Sequence, residues 1–275
     1  MEQSKARLEV LKKISEYEKN EWWDRDVEDD PETIELLPNK VDYLNKKLSN
    51  KIATAIANHV GTKFFEKMLK NKQMIIERVV GIENFLSVKG GVIVTCNHFN
   101  ACDNYAVWKV FKPFMKGKRL YKIIREGNYT NPPKPFGFIM RHCNTLPLSS
   151  NMDTMKKFIS SVDVLLKRGE KILVYPEQGM WWNYRKPRPM KDGAFRFAVT
   201  SKVPVLPVFI TMSDSDVLDG DGFFVQKYTI NILPPIYPDE KLNKKQNIEK
   251  MNQTNYAAWV KTYEDFYGTK LVYDK

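Results

Sequence analysis

Gly90-Gly91-Val92-Ile93-Val94-Thr95-Cys96-Asn97-His98 is the stretch on which the fold turns. Two glycines open it, an apolar β-branched run follows, and it ends on Asn and His. Short apolar runs of this kind read as strands buried on both faces. A strand buried on both faces needs helices on each side of its sheet, which makes the chain α/β. Outward from this stretch, similar runs recur: LYKIIRE (120–126), CNTLPLS (143–149), KILVYP (171–176), VPVLPVFIT (203–211) and KYTINILPPIYP (227–238). Helical segments separate most of them, at 101–112, at Asn151 to Arg168 before Gly169, at 193–202 and, after the last strand, at Asn247 to Tyr267. The alternation predicts a mixed, mostly parallel sheet covered by helices. Ligands of such sheets bind beyond the carboxyl ends of the strands, where His98 stands.

The 275 residues suffice for one large domain or two small ones, and 43% hydrophobic with 12% aromatic content excludes whole-chain disorder. We expect a helical N-terminal attachment over 1–71 and a catalytic domain over 72–275. The net charge of +11 favours an anionic partner: nucleic acid, an acidic lipid surface or a phosphorylated substrate. A solvated lysine-rich surface accounts for it equally well. No RNA-recognition signature or zinc-finger spacing is present, so nucleic acid is not the expected partner. Three cysteines without a CxxC pair, and three histidines, give no reason to expect disulfides or a metal. They fit a reducing, cytoplasmic setting. The first twenty residues lack the apolar core of a signal peptide. No run approaches the ~20 apolar residues of a spanning helix, so contact with a membrane is expected to be peripheral, at its inner face.

Within 1–71, residues 1–21 read as a charged helix, and Trp22 to Pro38 as an acidic linker containing Pro31 and Pro38. Val41, Leu44, Leu48, Ile52, Ala55, Ile56 and Val60 recur at helical steps; Gly61 interrupts, and Phe64, Phe65, Met68 and Leu69 suggest a second helix. Such a pair either packs on its own domain or lies in a membrane interface, with its lysines toward anionic headgroups.

The chemistry is concentrated in Asn97-His98-Phe99-Asn100-Ala101-Cys102-Asp103. On a continuous helix His98 and Asp103 would stand roughly 140° apart. They meet only if His98 lies in the turn after the strand and Asp103 in the first helical turn. The carboxylate would then hold one ring nitrogen and leave the other free as a base. The plain alternative is a helix-start aspartate favoured by the dipole, beside an unrelated turn histidine. Cys96 and Cys102 read as small buried residues rather than nucleophiles. Lysines and arginines cluster just beyond the motif, from Lys109 to Arg125, as a solvated face or as a surface for headgroups or carrier phosphates.

Three further blocks follow: Gly137 to Arg141, Pro176-Glu177-Gln178-Gly179, and Val203-Pro204-Val205-Leu206-Pro207-Val208. In this order and spacing, residues 75–210 resemble the glycerolipid (lysophospholipid) acyltransferase family, which includes the bacterial 1-acyl-sn-glycerol-3-phosphate acyltransferases. The resemblance implies transfer of a fatty-acyl group from a thioester to a lysolipid hydroxyl, in phospholipid biosynthesis. It implies His98 as the base, Asp103 orienting it, and direct attack without an acyl-enzyme. No cofactor is expected beyond the co-substrate, an acyl-coenzyme A or acyl carrier protein thioester. Arg141, Glu177, Gln178 and Gly179 are the expected substrate-binding positions, and backbone amides near Gly179 or after His98 the expected oxyanion donors. One departure stands out. Where the family's third block carries a phosphate-binding arginine, this chain has Gln178-Gly179-Met180. Either Arg185 or Arg188 folds back to replace it, or the acceptor is not 1-acylglycerol-3-phosphate but another lysophospholipid, a glycolipid or an amino-lipid.

Overall fold

The computed structural model describes residues 2–132 and 136–274. Its centre is a seven-stranded sheet ordered β1-β7-β6-β2-β5-β3-β4. The strands are β1 (Ile75–Val80), β2 (Val92–Cys96), β3 (Leu120–Ile124), β4 (Thr145–Pro147), β5 (Lys171–Val174), β6 (Val205–Leu218) and β7 (Phe224–Ile232). β6 and β7 pair antiparallel, and the other neighbours pair parallel. β2 and β5 lie side by side at the centre, and every residue of both is buried. The quoted stretch is therefore a central strand, as its unbroken apolar run predicts.

Two layers of helix cover the sheet. On one face, α3 (Ile82–Ser87) and α4 (Asp103–Phe111) bury Phe85, Tyr105, Val107 and Phe111 against Val94, Cys96 and Leu173. On the other lie α7 (Met152–Lys167), α8 (Gly193–Ser201) and α9 (Lys244–Tyr267). α7 starts where Asn151 accepts the N–H groups of Asp153 and Thr154, and it buries Phe158, Val162, Leu165 and Leu166 at helical spacing. α9 starts with a reciprocal Asn243–Gln246 capping box and ends at Gly268, whose φ of 65° closes the last turn. α5 (Glu126–Thr130) and α6 (Gly137–His142) fill the connection from β3 to β4.

The N-terminal region differs from its sequence reading. α1 (Lys5–Lys19) forms as expected, but residues 41–47 are not helical, and Val41 and Tyr43 enter the core. α2 runs from Leu48 to Lys70 straight through Gly61. A Cβ on Gly61 would stand 3.3 Å from Cys143 Sγ, so the glycine serves the close crossing of α2 over α6 and its edge. Its cost to helix propensity, about 1 kcal/mol, is too small to break a helix with that packing. The part of the predicted stripe that lies on α2 faces solvent, and Phe64 beyond it does too: Leu48, Ile52, Ile56, Val60 and Phe64 are all exposed. The acidic stretch from Trp22 to Leu36 is mostly irregular, yet Val27 and Leu36 are buried.

Candidate active site

β2 ends at Cys96, and the Asn97 side chain ties that end to β6, accepting the Ile210 N–H at 2.8 Å and donating to the Ile210 carbonyl at 3.0 Å. The chain then turns sharply, because Asp103 at the start of α4 reaches back over it. Asp103 Oδ2 accepts the N–H groups of Phe99 and Asn100 at 3.1 and 3.2 Å and the His98 Nδ1 proton at 2.8 Å. Its other oxygen accepts the Tyr175 hydroxyl. The carboxylate is 0% exposed, and these four donors offset the desolvation of its charge. With Nδ1–H on Asp103, His98 Nε2 keeps its lone pair, and the ring is 19% exposed.

Tyr175, the first residue after β5, stacks beneath the imidazole with centroids 3.9 Å apart and planes 16° apart. Burial, then the charge of Asp103, hold its phenol well above the usual range, so it remains a donor. No sequence motif gives Tyr175 a role; its place at the end of the KILVYP strand is the signal that marks it.

Glu177 points inward and is 3% exposed. It accepts the His98 backbone N–H at 3.2 Å, the Arg188 backbone N–H at 2.8 Å and the Arg188 guanidinium at 3.1 Å. Arg188 does fold back, but into the protein: it is 1% exposed, bonded also to the carbonyls of Gly179 and Trp23, and lies 4.5 Å over the Trp181 ring. Trp181 N–H returns to the His98 carbonyl and Asn183 N–H to that of Phe99. The loop after β5 and the turn after β2 are thus one hydrogen-bonded unit.

The other expected residues lie apart from His98's contacts. Arg185 pairs with Asp214 and Gln226. Arg141, on α6, is spent on the carbonyls of Tyr129 and Thr130. Gln178 is exposed, with φ of 68°. Of the amides expected as oxyanion donors, three are engaged: Gly179 N–H bonds Glu177 O, and those of Phe99 and Asn100 bond Asp103. Burial and the charge of Asp103 push the Cys102 thiol up to about 11 and hold Cys96 well above the usual thiol range, so neither is a thiolate at neutral pH. Hollows of about 560 Å³ beside α2 and Trp108, and about 780 Å³ between α8 and α9, do not include His98. Among the described residues no cluster of His, Cys, Asp and Glu suits a metal ion.

Segments from both ends of the chain brace this unit. Lys186 bonds Glu18 and Asp274, and the Tyr273 hydroxyl, itself paired with Tyr256, donates to the Pro187 carbonyl. The acidic strap from Trp22 to Leu36 crosses the carboxyl ends of β5 and β3. Trp23 stacks on Trp181, whose indole N–H donates to the Arg25 carbonyl at 2.9 Å. Asp24 pairs with Lys191, and Asp26 and Asp30 both pair with Arg125, the residue after β3.

A base held by a buried carboxylate, open on one side at the end of a central strand, is equipped to take a proton from a hydroxyl. Residues 76–211 match the family model described as Acyltransferase. The 1-acyl-sn-glycerophosphate (LPA) acyltransferase PlsC from Thermotoga maritima, known from a crystal structure, is similar at 21% identity. The match covers 78% of this chain and 84% of that one, with a TM-score of 0.45. No curated protein matches the chain.

Proposed function

We propose, from the match of residues 76–211 to the Acyltransferase family model, that the chain transfers a fatty-acyl group from a thioester to the hydroxyl of a lysolipid. The observation that carries this is the His98–Asp103 pair, 2.8 Å apart, with Nε2 bonded to none of the described residues. An alcohol is a poor nucleophile at neutral pH. His98 takes its proton as the oxygen attacks the thioester carbonyl, and Asp103 stabilises the imidazolium that forms. The tetrahedral intermediate then expels the thiolate, which recovers the proton. The donor is a thioester of coenzyme A or of an acyl carrier protein.

The acceptor implied by the resemblance is 1-acylglycerol-3-phosphate. A second reading, another lysolipid, is favoured by one observation: Arg141, Arg185 and Arg188 are all engaged by protein groups. Thioester consumption by the purified protein with a panel of lysolipids tests the reaction. Replacing His98 by Ala should lower turnover by about 10²–10⁴-fold; unchanged turnover removes the base.

The proposed workplace is an anionic membrane surface on the cytoplasmic side. No helix of the described residues is long and apolar enough to cross a membrane. The exposed stripe from Leu48 to Phe64, with exposed Lys47, Lys51, Lys63, Lys67 and Lys70 on the same helix or at its cap, suits an interfacial helix. In this reading 72–275 carry the chemistry and the helices of 1–71 the attachment. I52D with I56D should abolish flotation with anionic vesicles; retained flotation rejects α2 as the anchor.

A further inference from the structure

We infer that Asp26 and Asp30 set the acceptor class of the transfer proposed above, on which this inference rests. By occupying Arg125 they exclude a phosphomonoester headgroup, so that the acceptor is a lysolipid whose phosphate is diesterified or absent.

A phosphomonoester carries close to two negative charges at neutral pH and binds best to an unpaired guanidinium. The loops that follow β2, β5 and β3, with the strap above them, form the open end of the sheet. Among the described residues, Arg141 of the β3–β4 connection lies on α6 and is taken by the carbonyls of Tyr129 and Thr130, and the cations on the non-helical parts of these loops are Arg125, Arg185, Lys186, Arg188 and Lys191. Every one has a carboxylate partner: Arg125 has Asp26 and Asp30, Arg185 has Asp214, Lys186 has Glu18 and Asp274, Arg188 has Glu177 and Lys191 has Asp24. Arg25 of the strap lies over Trp22, its guanidinium carbon 3.7 Å from the ring centre.

Arg125 is the cation that geometry would offer to a phosphate. It follows β3, on the opposite side of β5 from β2, and at 37% side-chain exposure it is open to solvent. Asp26 grips it through both oxygens, and Asp30 adds a second carboxylate. One guanidinium between two carboxylates leaves a net negative charge, which repels a phosphomonoester instead of binding it.

The strap is built in and is no loose lid. A Cβ on Gly179 would stand 2.9 Å from Asp26 Oδ1 and 3.2 Å from the Arg25 carbonyl, and one on Gly127 would stand 2.6 Å from the Pro31 carbonyl. The strap therefore lies directly on the backbone of the loops that carry Glu177 and Arg125. Buried Val27, the Trp181–Arg25 hydrogen bond and the Leu36 N–H on Glu126 at 2.7 Å hold it along its length. Gly179 is two residues from Glu177, which holds the His98 backbone, so the acidic edge borders the reacting groups.

The test compares kcat/KM for lysophosphatidate, lysophosphatidylethanolamine, lysophosphatidylcholine and a monoacyl glycolipid of the same chain length, in neutral detergent at fixed ionic strength. The wild-type chain should use at least one diester or uncharged headgroup about tenfold better than lysophosphatidate. D26N with D30N frees Arg125 and should raise kcat/KM for lysophosphatidate about tenfold, and adding R125Q should cancel the gain. D30N alone, at the more exposed carboxylate, should shift the ratio the same way by less, which keeps the test open if the double variant is unstable. A wild-type preference for lysophosphatidate, or a folded double variant with an unaltered acceptor ratio, would overturn the inference. Transfer to none of the four acceptors would instead defeat the acyl-transfer reading.

Discussion

Glu177 Oε2 accepts the backbone N–H of His98 across 3.2 Å, joining residues 79 apart in sequence. Its other oxygen is filled by the Arg188 backbone. Glu177 is therefore a positioning residue for the turn that carries the base. E177A leaves the Arg188 guanidinium buried without its carboxylate and should cost about 3–5 kcal/mol, measurable by urea unfolding. E177Q should keep the fold better and lower kcat while leaving acceptor KM near wild type. A raised KM with intact kcat would mean that Glu177 touches the acceptor.

Tyr175 supplies both a stacking surface for His98 and a hydroxyl for Asp103. Y175F keeps the first and loses the second. A hydrogen bond to a charged group is worth about 1.5–3 kcal/mol, so kcat should fall by roughly ten- to a hundredfold if that bond tightens as the imidazolium forms. Steady-state rates with a saturating thioester would show it, and wild-type kcat would leave Tyr175 a packing residue.

Cys102 sits one residue before Asp103, yet its thiol is pushed up to about 11 by burial and that carboxylate's charge. At pH 7 the thiolate fraction is negligible. C102A and C96A should retain transfer within a few-fold, and iodoacetamide should not inactivate the enzyme on the assay timescale. An acyl-cysteine trapped by mass spectrometry would contradict direct attack.

Glu126 links the strap to the β4–α7 connection. Burial works to raise its pKa, but the N–H groups of Leu36 and Ser150 and the Ser149 hydroxyl outweigh it and hold the carboxyl below its ordinary value. A carboxyl depressed in the fold adds stability above its unfolded value, and that stability is lost as pH falls through the folded value. E126Q should melt below wild type at pH 7, and the gap should narrow as pH falls below the ordinary glutamate range and through the depressed folded value. A constant gap across that range would show that charge is not the cause.

What could be read from the sequence was local. The apolar run from Val92 to Cys96 reports its own burial, and five residues are enough to show how His98 and Asp103 meet across a strand-to-helix turn. The sequence offers Arg188 as a fold-back residue, but carries no sign that it turns inward onto Glu177. The strap looked like a linker because its prolines and carboxylates are what linkers contain; its partners Arg125 and Trp181 lie 99 and 156 residues away. Gly61 looked like a break because propensity is visible in sequence and the crossing with α6 is not. The stripe on α2 was legible, but which side of it would meet the protein was not.

Lys186 is gripped from both directions along the chain, by Glu18 and by Asp274, while Tyr273 fastens the adjoining Pro187. A purification handle fused behind residue 274, or a trim of the final few positions, would tug on the same loop that secures the base. Kinetic constants from differently tagged preparations should then disagree, and the disagreement would track the terminus chosen, not the quality of the enzyme.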